Sequence, residues 1–107
     1  MKFLPSMALA ALAITAATPA LASLDLATKK ACMACHSVDN KVVGPAYKEV
    51  AKRYAADKTA EAKLVQTVLK GSDPKKPNWG GMAMPANKDR VSEAEAKQLV
   101  KWILSLK

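Results

Sequence analysis

Two cysteines, one histidine and a pair of loop methionines are the residues of this chain whose types could do chemistry. Cys32-Met33-Ala34-Cys35-His36 sets two thiols three positions apart, with the sole histidine directly after the second. Residues at that spacing share one side of a helical turn. Both sulfurs could therefore reach two vinyl groups along one edge of a porphyrin, and the following imidazole would meet its iron. This is the C-x-x-C-H pattern of c-type haem attachment.

Other readings of the same residues fit less well. A Cys32–Cys35 disulfide would close a very short loop and stabilise little. A thioredoxin-like redox pair belongs beside a βαβ pattern, and no strand pattern is visible. A structural zinc site takes four ligands, whereas the chain offers two Cys and one His. Since His36 is the only imidazole, a bis-histidine haem cannot form within one chain. A second axial ligand must come from elsewhere. Met33 lies inside the attachment motif, and Met1 and Met7 lie in the leader described below, which leaves Met82 and Met84.

Four helices are expected to position these groups, giving an all-α fold. Ser23 or Asp25 can cap a first helix running to about Ala34, straight into the cysteine motif. A second follows Gly44-Pro45, the proline suiting the first helical turn; Tyr47, Val50, Ala51 and Tyr54 fall on one face. Thr59 can cap a third, which carries Leu64, Val65, Val68 and Leu69 and stops at Gly71. The fourth starts with the capping box Ser92–Glu95 and turns Ala96, Leu99, Val100 and Ile103 inward. Between the third and fourth lies Ser72–Val91, rich in Pro and Gly and carrying Trp79, Met82 and Met84. Loops longer than about 12–15 residues are uncommon unless functional or disordered. The apolar residues of this one have no helical or strand period, so they are expected to cover something.

The start of the chain reads as an export signal: Lys2, an apolar run from Met7 to Ile14, and Ala20-Leu21-Ala22 as a small-x-small cleavage site. The run is eight residues long, far short of the ~20 that span a bilayer. Residues 1–22 are thus expected to be removed, leaving one domain, residues 23–107, in the periplasm with no stable membrane insertion. A domain that short often needs a staple, and a large apolar cofactor would serve. The whole chain carries 17 basic and 9 acidic residues, a net charge of +8. Its lysines are scattered among acids rather than gathered in a tract, and export argues against nucleic acid.

With these residues assembled, residues 23–107 resemble the short bacterial class I cytochromes c of the c-551 and c-552 type. The likeness is carried by Cys32-Met-Ala-Cys-His36, Val43-Gly-Pro-Ala-Tyr47, Gly71-Ser72, Trp79-Gly80, Met84-Pro85-Ala-Asn87 and Lys101-Trp-Ile-Leu-Ser-Leu-Lys107. The resemblance implies a four-helix class I fold around one covalent haem c, with a long Met-bearing loop between helices 3 and 4. It implies His36 and Met84 as axial ligands, and Pro45 as the carbonyl that accepts from His36. It further implies Trp79 as an indole donor to a haem propionate, and Asn87 as support for the methionine side of the pocket.

The family commonly reads G-P-I-P-M-P-P-N where this chain reads Gly80-Gly81-Met82-Ala83-Met84-Pro85-Ala86-Asn87. Each lost proline widens the unfolded ensemble by roughly 0.4–1 kcal/mol where the native geometry tolerates proline. A more mobile loop is expected, with Met82 as an alternative ligand. Functionally the resemblance implies a monomeric periplasmic shuttle, not an enzyme, that delivers single electrons to larger acidic redox partners: a nitrite reductase, terminal oxidase, peroxidase or photosynthetic centre. Lys29, Lys30, Lys75 and Lys76 are the expected positive rim. The competing reading is a small haem enzyme or a gas- or peroxide-binding protein whose methionine dissociates. No second histidine is present to act as its distal acid–base group.

Overall fold

The computed structural model describes residues 19–76 and 78–107; the greater part of the expected leader lies outside them. The four helices are α1 (Pro19–Lys29), α2 (Tyr47–Arg53), α3 (Ala60–Lys70) and α4 (Glu93–Ser105), with a 3-10 turn at Cys32–Ala34. Apart from a single bridge between His36 and Lys41, no strand pairing occurs among the described residues.

α4 is the organising element, and α1, α2 and α3 all pack against it. Its stripe is the expected one: Ala96, Leu99, Val100 and Ile103 are buried, joined by Trp102. α1 and α4 each contribute a fully buried alanine, Ala27 and Ala96, which lets helix backbones approach closely. Tyr47 and Val50 of α2 and Val65 of α3 complete the core with Val91. The Tyr47 ring meets Trp102 edge-on, with centroids 5.6 Å apart at 78°, an arrangement that the ring quadrupoles favour. The α4 capping box is present in full. Glu95 N–H donates to Ser92 Oγ at 3.1 Å, and Ser92 N–H donates to Glu95 Oε1 at 3.0 Å. Those bonds, above all the backbone one from Ser92, hold the Glu95 carboxyl below its usual range.

Three local expectations need correction. The first helix neither starts at Ser23 nor runs into the motif: it spans Pro19–Lys29, and Ala31 then takes a left-handed conformation with φ 63°. That conformation costs a non-glycine residue roughly 1–2 kcal/mol, but it lets the chain restart as a tight turn holding both cysteines. Pro45 is not in the first turn of α2. It precedes the N-cap Ala46, where its missing N–H is immaterial and its carbonyl is free to serve the site. Thr59 sits at the N-cap of α3 without capping it, because its hydroxyl donates to Asp57 Oδ1 at 2.6 Å.

Candidate functional site

A cavity of about 430 Å³ is lined by Cys32, Cys35 and His36 from the motif and by Trp79, Met82 and Met84 from the long loop. The rest of the lining is shared between α2, α3 and α4 and the loops that flank them. The volume lies within the ~300–1,000 Å³ of small-molecule and cofactor sites. The loop residues that had no secondary-structure period therefore cover something, as their composition implied.

His36 is the most tightly built member. Its Nδ1 lies 2.8 Å from the Pro45 carbonyl. A carbonyl can only accept, so Nδ1 carries the proton, and a neutral ring then presents the lone pair of Nε2. Second-shell bonds of this kind fix the tautomer and orientation of a metal-ligating histidine. Tyr47 stacks on the ring, with centroids 4.9 Å apart and planes 23° from parallel. The backbone of Gly44 closes in as well: a Cβ there would stand 2.5 Å from His36 Cε1 and 2.9 Å from Nδ1. The neighbouring backbone is held by Gly44 N–H donating to Cys35 O at 2.7 Å and Tyr47 N–H donating to Ser37 O at 2.9 Å.

Cys32 and Cys35 are both half-buried free thiols. Burial pushes the Cys32 thiol above its ordinary value, against the lowering effect of a bond with Tyr47. The Tyr47 phenol is pushed well up as well, again chiefly by burial. Both are neutral at physiological pH, so Cys32 faces the cavity as a thiol rather than a reactive thiolate.

The methionine side is held by backbone. Met84 N–H donates to Ser72 Oγ at 2.8 Å, and Ser72 N–H donates to Met84 O at 3.0 Å. The pair clamps the loop to the end of α3, where Gly71 has φ +81° and a Cβ would meet Met84 O at 2.6 Å. Asn87, buried, extends the clamp. Its Nδ2 donates to Val68 O and Pro85 O, each at 3.1 Å, and its Oδ1 accepts from Arg90 at 2.8 Å. Met82 is 75 % exposed, whereas Met84 is half-buried.

The residues thus fit a covalent haem. Two thiols and one imidazole of fixed tautomer face a largely apolar chamber that also admits a thioether. Comparison with known proteins agrees. A family model described as Cytochrome c matches residues 25–107. The chain belongs to the cytochrome c family. It is 48% identical over 94 residues to cytochrome c-551 of Allochromatium vinosum, covering 88% of this chain and 96% of that one. It is 47% identical over 98 residues to cytochrome c-552 of Nitrosomonas europaea, covering 92% and 91%. The crystal structure of wild-type Nitrosomonas europaea cytochrome c552 superposes with a TM-score of 0.72 at 46% identity, over 78% of this chain and 99% of that one. The fold is that of a class I cytochrome c, and the cofactor is one haem c held through Cys32 and Cys35. As a member of the family the chain is a monohaem electron carrier.

Sequence reasoning missed the roles of Gly44, Tyr47 and Ser72. Gly44 and Ser72 each had a visible signal, a glycine next to the expected ligand-holding proline and a serine after a helix-ending glycine. The stack of Tyr47 on His36 had none.

Proposed function

We propose that the mature protein is a periplasmic shuttle, freed of residues 1–22, in which His36 and Met84 ligate the iron from its two faces. The observation that carries this reading is the His36–Pro45 bond, which presents Nε2 in a cavity shared with the clamped Met84. A bound haem supplies the ferric/ferrous couple. The chain's own residues supply the rest. Pro45 and Tyr47 hold the imidazole, and Ser72 holds the backbone of Met84. Met84 offers a soft, neutral sulfur that raises the potential by favouring ferrous iron. Trp79 would offer its indole N–H to a haem carboxylate, and Asn87 keeps the methionine end of the loop in place. With both axial positions filled there is no open site for a substrate, which favours outer-sphere transfer of single electrons. Voltammetry tests this. A single reversible one-electron wave, unchanged by added peroxide, is expected, whereas a catalytic peroxide current would favour the enzyme reading.

The expected lysine rim divides in two. Lys29 pairs with Asp25 at 2.9 Å and Lys30 with Glu95 at 3.6 Å. Lys75 and Lys76 make no ion pair among the described residues. They project from a turn in the Trp79 loop, in which Lys75 N–H donates to Asp73 Oδ1 at 2.8 Å and Lys76 N–H to Asp73 O at 3.1 Å. An acidic partner is therefore expected to dock on that side, around exposed Met82. Electrostatic steering raises association rates up to a hundredfold or more at low salt, and salt removes it. Lys75→Glu with Lys76→Glu should slow electron exchange with an acidic redox protein at least tenfold at low ionic strength, and the same change at Lys29 and Lys30 much less. Equal effects from both pairs would overturn this placement.

A further inference from the structure

The loop that carries Trp79 and Met84 is anchored at both ends. The Met84 end has the Ser72 clamp. At the Trp79 end the anchor is Arg53, the last residue of α2, twenty-five positions away from Asn78. Its guanidinium carbon lies 3.5 Å from the centroid of the Trp79 ring, and its Nη1 donates to the Asn78 carbonyl at 2.7 Å. One rigid planar group thus grips both the indole face and the peptide oxygen that precedes the residue. The ring cannot tilt without leaving the guanidinium, and the backbone cannot swing without breaking the bond. Core side chains pack against Trp79 as well. Gly80 and Gly81, which follow Trp79, both have positive φ, 72° and 71°, and nothing lies within 4 Å of where a Cβ would stand. The direction of the indole is therefore fixed from the α2 side.

We propose that Arg53 is a positioning residue for Trp79, stacking on the indole and holding the Asn78 carbonyl so that the indole N–H keeps its bond to a haem carboxylate and thereby raises the reduction potential. This rests on the role given to Trp79 above. An N–H donated to a carboxylate disperses its negative charge. When that bond loosens, more of the charge acts on the iron and favours the ferric state, so the potential falls. Lysine would keep the charge of Arg53 but not the planar fork that stacks and bonds at once.

The test uses the holoprotein with Arg53→Ala, Arg53→Lys, Trp79→Phe and the Arg53→Ala/Trp79→Phe double variant. Redox titration gives the midpoint potential, and NMR gives the exchange rate of the Trp79 indole proton. Arg53→Ala should speed that exchange at least tenfold and lower the midpoint, with Arg53→Lys between it and the parent. In the Trp79→Phe background, Arg53→Ala should lower the midpoint no further, because it acts through the indole. An equal drop in both backgrounds would mean that Arg53 acts as a bare charge, which overturns the proposal. A lowered midpoint in Trp79→Phe with none in Arg53→Ala would overturn Arg53 alone. An unchanged midpoint in Trp79→Phe would overturn the Trp79 role, and Arg53 with it.

Discussion

Gly44→Ala is expected to unseat His36. The new methyl carbon would stand 2.5, 2.9 and 3.0 Å from Cε1, Nδ1 and Nε2 of the imidazole, so the ring or the backbone must move. The ring has nowhere to go, since Tyr47 is stacked on it at 4.9 Å and Nδ1 is tied to Pro45 at 2.8 Å. The backbone is no freer, because Gly44 N–H is bonded to Cys35 O at 2.7 Å. Overpacking at a close-packed site costs about 1–3 kcal/mol or more, a large share of the ~5–15 kcal/mol that holds a domain together. Denaturant unfolding of the holoprotein should show that loss, accompanied by an altered Soret band as the imidazole shifts. Stability and spectrum both within error of the parent would mean that the close approach of Gly44 to His36 does not constrain the site.

Met84→Ala should have the largest effect on the redox couple. The weak sulfur-to-iron band at the red end of the ferric spectrum should vanish. The midpoint should fall by roughly a few tenths of a volt, within the ~0.8 V that axial ligands span. The assignment to Met84 rather than Met82 rests on how each is held. Met84 is gripped through both its N–H and its carbonyl by Ser72, whereas Met82 is 75 % exposed next to two glycines of positive φ. Holding a ligand in advance lowers the entropy cost of binding. Met82→Ala should leave the band and the midpoint nearly unchanged. If Met82→Ala removes the band and Met84→Ala keeps it, the two roles are reversed.

How much of this was legible varies with the sequence distance over which each contact acts. The capping box of α4 needs only Ser92 and Glu95, three residues apart, and it formed as read. The inward stripes of α3 and α4 follow from helical periodicity alone. The break between α1 and the motif was not legible, because the left-handed conformation it needs falls on Ala31, a residue type that rarely adopts it. The capping role expected of Thr59 lost to a competing carboxylate two residues away. The clamp of Ser72 on Met84 spans twelve residues and the reach of Arg53 to Asn78 spans twenty-five, and no local spacing encodes either. The pairing of Lys30 with Glu95 was hidden for the same reason, since only the packing of α1 on α4 brings the two together. The site chemistry was more legible than the fold detail, since C-x-x-C-H and a loop methionine name their cofactor by residue type.

Carbon monoxide offered to the reduced, unsubstituted holoprotein at neutral pH tests the central claim most directly, because it asks whether both faces of the iron are already taken by the chain. With His36 and Met84 in place the Soret band should stay unshifted under saturating gas, while Met84→Ala should bind it readily. Stoichiometric binding by the unsubstituted protein would contradict a closed, outer-sphere carrier.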